Sequence, residues 1–89
     1  MFIRKEFRLQ TITGKSFIFL RKGNEVDMTR ILSFNKTSVW LWKLLEGKFF
    51  TEEEAFRLLC DHYTGEPEQI RRNLQWWLRS LIEEGIIEM

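Results

Sequence analysis

The 89 residues predict one small α+β domain, three N-terminal β-strands followed by three α-helices. Three observations carry this. Up to Asn35, short runs of β-type residues are separated by turn residues; beyond it, the apolar residues recur at helical spacing. Each helical stretch is also bounded by recognisable start and stop residues. Third, hydrophobic residues make up 44% of the chain and aromatics 15%, with four tryptophans and eight phenylalanines, enough to fill a core with few, large side chains.

The elements follow in order. Phe7-Arg8-Leu9-Gln10-Thr11-Ile12 alternates apolar and polar residues, the pattern of a strand with one buried face. Thr13-Gly14-Lys15 supplies a turn, and Ser16-Phe17-Ile18-Phe19-Leu20 reads as its hairpin partner. Lys22-Gly23-Asn24 is a second turn signal, and a third strand is expected through Met28 to Phe34, so that strands occupy about residues 5–34. The helices are expected over about 36–84. The first follows Asn35, a good N-cap, carries Ser38, Leu41, Trp42 and Leu45 on one face, and closes at Gly47. The second opens with Thr51-Glu52-Glu53-Glu54, a capping-box pattern, and ends near Tyr63. The third starts around Pro67, runs an apolar stripe through Ile70, Leu74, Trp77, Leu78, Leu81 and Ile82, and stops at Gly85. Ile86-Ile87 is expected to add a short extended segment. This order suits a winged helix-turn-helix-like domain spanning residues 1–89.

Several function classes recede on composition. Formal net charge is +1, whereas proteins that live on the phosphate backbone usually carry a strong basic excess. Cys60 is the only cysteine, so no internal disulfide forms, which fits a reducing cytoplasm. Charge appears by Arg4, too soon for a signal-peptide core, and no apolar run approaches the ~20 residues that span a bilayer. The expectation is a cytoplasmic domain without membrane attachment. His62 and Cys60, two residues apart on a helix, do not share a face and have no further ligands of their kind, so no metal is expected. Glu52, Glu53 and Glu54 read as a helix start and Glu83-Glu84 as a solvated face. With no glycine-rich phosphate loop and no nucleophile beside a base, neither catalysis nor a cofactor is expected.

The stretch Asn35-Lys36-Thr37-Ser38-Val39-Trp40-Leu41-Trp42-Lys43-Leu44-Leu45-Glu46-Gly47 resembles the PqqD signature Asn-x-Thr-Gly-x-x-(Ile/Leu)-Trp-x-Leu-Leu-x-Gly, with Ser38 in place of the glycine. Downstream, the Thr-x-Glu-Glu opening and a tyrosine near the end of the second helix recur as Thr51, Glu53, Glu54 and Tyr63. The aromatic-Leu-x-x-Leu-x-x-x-Gly close of the third helix recurs as Trp77, Leu78, Leu81 and Gly85, while Asn73 stands where Asp is common. The resemblance runs from about Phe7 to Ile87. It implies a non-catalytic recognition domain for ribosomally made precursor peptides, whose leader adds a strand beside the third strand and packs on the third helix. The domain would then present the precursor to a modifying enzyme, often a radical S-adenosylmethionine protein.

On that reading, the edge is offered by Thr29, Arg30, Ile31, Leu32, Ser33 and Phe34. The facing wall comes from Arg72, Asn73, Trp76, Trp77 and Ser80. A helical wheel sets Trp76 nearly opposite the Leu74/Leu81 stripe and Trp77 on its rim, and Arg72 and Arg79 would select acidic leader residues. Trp42 and Trp77 sit on or beside apolar stripes. Trp40 and Trp76 fall off them, toward a partner or toward partial burial by neighbouring segments. Phe49 and Phe50 are expected to staple the second helix onto the sheet. Two rival functions stay open: a winged-helix DNA-binding module using Arg71, Arg72 and Arg79, and a homodimer formed through Trp40, Trp76 and the third strand. Glu66, Glu68, Glu83 and Glu84 beside those arginines disfavour nucleic acid.

Overall fold

The computed structural model describes residues 1–22 and 25–89, by backbone alone at residues 21, 22 and 26–29. The turn expected at Lys22-Gly23-Asn24 therefore has its tip outside the described residues. The chain forms β1 (Phe2–Ile3), β2 (Gln10–Ile12), β3 (Lys15–Lys22), β4 (Glu25–Phe34), α1 (Lys36–Leu45), α2 (Glu52–His62), α3 (Pro67–Glu83) and β5 (Ile87–Glu88). The class is α+β, but among the described residues the strands are five in two sheets rather than three at the N-terminus. β1 and β5 pair antiparallel, Phe2 with Glu88 and Ile3 with Ile87, and the Arg4 N–H adds a bond to the Ile86 carbonyl at 2.9 Å.

The first expected strand needs correction. Only Gln10–Ile12 pairs, and all three residues are exposed. Phe7 is buried and Leu9 half-buried, so the alternation did mark core-facing side chains. They reach the core from an irregular segment, in which the Phe7 N–H bonds back to the Arg4 carbonyl at 3.3 Å. Burial and ladder pairing are separate requirements, and alternation reports only the first.

β2, β3 and β4 form an antiparallel sheet in that order, which leaves β4 an edge strand. The Thr13-Gly14 loop joins β2 to β3 with both residues at positive φ, 51° and 78°, and Ile12 paired to Lys15, the two-residue hairpin geometry that matches strand twist. Between β3 and β4 the register jumps: Phe19 pairs with Ile31 but Leu20 with Asp27. Residues 28–30 thus form a bulge that bends the edge strand. Ile18 and Leu20 enter the core, while Phe17 and Phe19, edge to face with centroids 5.2 Å apart, lie on the outer face with exposed Ile31.

The helices start and stop where their caps dictate. The Asn35 side chain accepts from the Ser38 N–H at 2.8 Å, and Thr51 and Glu54 exchange two bonds of 3.1 Å in a complete capping box. α3 opens on Pro67 and ends in a Schellman arrangement. There the Ile86 N–H bonds to the Leu81 carbonyl and the Gly85 N–H to that of Ile82, with Gly85 at φ 73°. Leu81 and Ile86, both fully buried, complete the motif on its apolar side. The core gathers Leu41, Trp42 and Leu45 of α1, Ala55 and Leu59 of α2, and Leu74, Leu78 and Leu81 of α3 around Ile18, Leu20 and Phe34. Trp42 is fully buried, yet its indole N–H is satisfied by Glu46 Oε2 at 2.7 Å, one helical turn on. Phe50 joins this core, whereas Phe49 is 84% exposed with its ring beside that of Phe2, so a single phenylalanine of the pair is buried as a staple would be.

Candidate functional site

Two surfaces flank the end of β4. The first is the strand's own edge, which no other strand covers among the described residues. Of the residues expected to offer it, Ile31, Leu32, Ser33 and Phe34 lie in regular register, while Thr29 and Arg30 fall in the bulge; the Thr29 side chain lies outside those described. Alternation divides the side chains. Phe34 is buried and Leu32 half-buried toward the helices, whereas Ile31 and Ser33 line a depression of about 620 Å³ with Ile12 and Phe17 on the outer face. Arg30 extends toward the C-terminus of α3 and meets Glu84 at 3.4 Å. That contact shows how near the bulge of β4 comes to the end of α3.

The second surface is a groove of about 340 Å³ where α1, α2 and α3 converge. Asn73, Trp76 and Trp77 line it from α3, Asn35, Thr37 and Ser38 from the start of α1, and Leu59 and Tyr63 from α2. Leu41, Ile70 and Leu74 give it an apolar floor. Since Asn35 directly follows Phe34, the groove begins where the edge strand ends.

Trp76 is 72% exposed, a large apolar surface held in water. Trp77 is half-buried, stacks edge to face on Phe34 with centroids 6.2 Å apart, and keeps its indole N–H buried without a hydrogen-bond partner among the described residues. Trp40 is covered from within the chain: it stacks on His62 at 4.2 Å, with Tyr63 edge to face at 5.4 Å.

The remaining expected residues do not converge there. Arg72 lines a separate depression with Phe56 and Pro67. Ser80 donates to the Trp76 carbonyl at 2.8 Å, one turn back along α3. Arg71 is committed elsewhere: it bridges Glu53 at 2.9 Å and Glu52 at 3.2 Å, with its guanidinium 3.9 Å over the Phe56 ring. The hydrogen bond to Glu53, reinforced by the two carboxylate charges against a smaller burial effect, raises its pKa above the usual value. Glu52 and Glu53 therefore tie α2 to α3, a use that the run of three glutamates did not reveal. In the sequence Ile70 belongs to the apolar stripe, Asn35 is an N-cap and Tyr63 marks a helix end, and Leu59 carries no signal of its own. Only the packing of α1 and α2 on α3 makes them one wall.

No group of three or more potential metal-binding side chains occurs among the described residues, and no described helix is long and apolar enough to cross a membrane. No curated protein and no solved structure matches the chain. The family model of PqqD, coenzyme PQQ synthesis protein D, matches residues 24–87, a span that holds β4, all three helices and every residue of the groove. The chain belongs to the PqqD family.

Proposed function

We propose that this protein is a non-catalytic peptide adaptor. It binds the leader of a ribosomally made precursor as an added strand on β4 and presents the precursor to a modifying enzyme of the radical S-adenosylmethionine kind. One observation carries the reading: an uncovered strand edge runs directly into an apolar groove walled by α3 and fronted by an exposed tryptophan. An extended peptide matches both parts, with main-chain bonds to the edge and side chains in the groove. An uncovered edge is otherwise a liability for self-pairing, so keeping one open has a cost that use would offset. The winged-helix arrangement, the cytoplasmic setting and residues Thr29 to Phe34, Asn73, Trp76 and Trp77 belong to this proposal. Arg72 and Ser80 are assigned lesser parts, because neither lines the groove.

The register break narrows the mode of binding. Regular pairing with a leader is expected along Ile31–Phe34, with the bulge at 28–30 marking where the added strand diverges. Four residues of edge plus one or two seated side chains suit an affinity near micromolar, about −8 kcal/mol. A titration of the ¹⁵N-labelled protein with the leader of a precursor encoded beside its gene tests this. Saturable shifts at Ile31–Phe34 and Asn73–Trp77 are the expected result. A cognate leader that leaves both segments unmoved at high micromolar concentration overturns it, and light scattering on the same samples reads out any self-association.

A further inference from the structure

The unpaired indole of Trp77 carries an inference beyond strand addition, though one that rests on it. Trp42 and Trp77 both bring an indole N–H inside the protein. Trp42 has an acceptor in Glu46, one turn away. The residue one turn beyond Trp77 is Leu81, fully buried and with no side-chain acceptor, and the nearest paired ring is Phe34, which offers no oxygen or nitrogen. Among the described residues the Trp77 Nε1 is the only buried side-chain nitrogen or oxygen without a partner. A buried donor without an acceptor is a cost to the free protein that the packing of the ring has to offset.

The ring nevertheless lines the groove and is only half-buried, so part of it is open to an incoming group although the Nε1 atom itself is covered. Around it the groove is apolar at its floor, with the Asn73 amide, the Asn35 cap and the Tyr63 ring at its rim. Asn35 Oδ1 accepts from the Ser38 N–H and Asn73 Oδ1 from Gln69 at 3.0 Å, and neither accepts from the Trp77 indole. At about 340 Å³ the space lies at the small end of the range for ligand sites, ~300–1,000 Å³.

We infer that the groove seats one large apolar side chain of the bound leader, and that the Trp77 indole turns to donate its N–H to a main-chain carbonyl beside that side chain. The donor missing a partner in the free state finds one in the complex. Trp77 thereby selects register: a leader shifted by one residue places its side chains on the wrong side of the added strand and leaves the indole unpaired again.

The test compares the intact protein with Trp77→Phe, using the synthetic leader as probe and following the tryptophan indole ¹⁵N–¹H resonances. The expected result has two parts. The Trp77 resonance moves downfield on binding while that of Trp42 stays put, and Trp77→Phe binds the leader about tenfold more weakly, the worth of one hydrogen bond. An alanine scan of the leader should find a single apolar residue whose loss removes the indole shift. If the leader binds along β4 with the Trp77 resonance unmoved, or if Trp77→Phe binds as well as the parent, the inference is overturned and strand addition stands. If the parent does not bind the leader at all, strand addition and this inference fall together.

Discussion

At the scale of single residues, two positions show how a local rule is kept or broken. Thr13 occupies the left-handed region at φ 51°, where a β-branched side chain is strained and Asn or Gly is preferred. Thr13→Asn should relieve that strain and stabilise the fold by about 1 kcal/mol, read as a rise of roughly 4–8 °C in Tm. An unchanged or lower Tm would mean that the threonine makes a compensating contact. Its hairpin neighbour Thr11 does pair with Ser16 at 3.0 Å, but Thr13 has no side-chain hydrogen bond of its own among the described residues. Glu46 makes the opposite case. On the surface of α1 it would count for little, yet it satisfies the N–H of a fully buried tryptophan. Glu46→Ala should cost about 1–3 kcal/mol in chemical denaturation, well beyond the ±0.5 kcal/mol usual for surface changes, whereas Glu46→Gln keeps an acceptor and should recover most of it. Equal losses in both variants would point to the charge rather than the hydrogen bond.

At the scale of elements, the helices are set by short-range chemistry and the sheet is not. Each helix begins on a residue whose role is settled within four positions: Asn35 to Ser38, Thr51 to Glu54, Glu66 to Pro67. These starts were legible in the sequence because capping is local. The Schellman close at Gly85 was legible for the same reason. The pairing of α2 with α3 through Arg71 was not, since it joins residues about twenty positions apart. The partners are a third to a half exposed, so the bridge is screened by solvent, contributes little to stability and should weaken with salt. Arg71 is charged over the whole working range at its ordinary pKa, and its two glutamates raise that value further. A stabilisation of this sign is lost only as pH rises through the folded-state value, far above any physiological condition. The edge of β4 is tested on the ligand. N-methylation of leader residues whose N–H faces the edge should weaken binding more than tenfold, while methylation of the alternate residues should have little effect. Sensitivity at every position, or at none, would argue against an added strand.

At the scale of the whole molecule, the balance of charge matters more than its near-zero sum. Arg30 and Glu84 face each other where the β4 bulge approaches the end of α3, and each is partly exposed. Glu84→Gln would release Arg30 toward a leader that carries carboxylates. We expect about two- to fivefold tighter binding at low ionic strength, fading as salt approaches ~1 M, and a stability change below about 1 kcal/mol. Weaker binding would mean that the ion pair holds the bulge in its binding shape. The same distribution bears on the DNA alternative: Arg71, one of the three arginines it relied on, is already neutralised by Glu52 and Glu53.

By itself the sequence determined the α+β class, the three helices with their caps, the apolar faces of α1 and α3, and the family signature in α1. Each of these depends on residues within a turn or two of one another, where propensity and capping act without help from distant chain. Only the tertiary structure decided the rest. It paired β1 with β5 across the full length of the chain, reduced the first strand to three exposed residues and broke the β3–β4 register at residues 28–30. It also turned helix-cap and core residues into the walls of one groove. Contacts of that kind are set by how buried faces fit together, and side-chain volumes in a close-packed interior are matched between segments far apart in sequence. The unpaired N–H of Trp77 belongs to that second class. Its residue type was plain in the chain, but its lack of a partner exists only once Phe34, Leu81 and the groove have been brought around it.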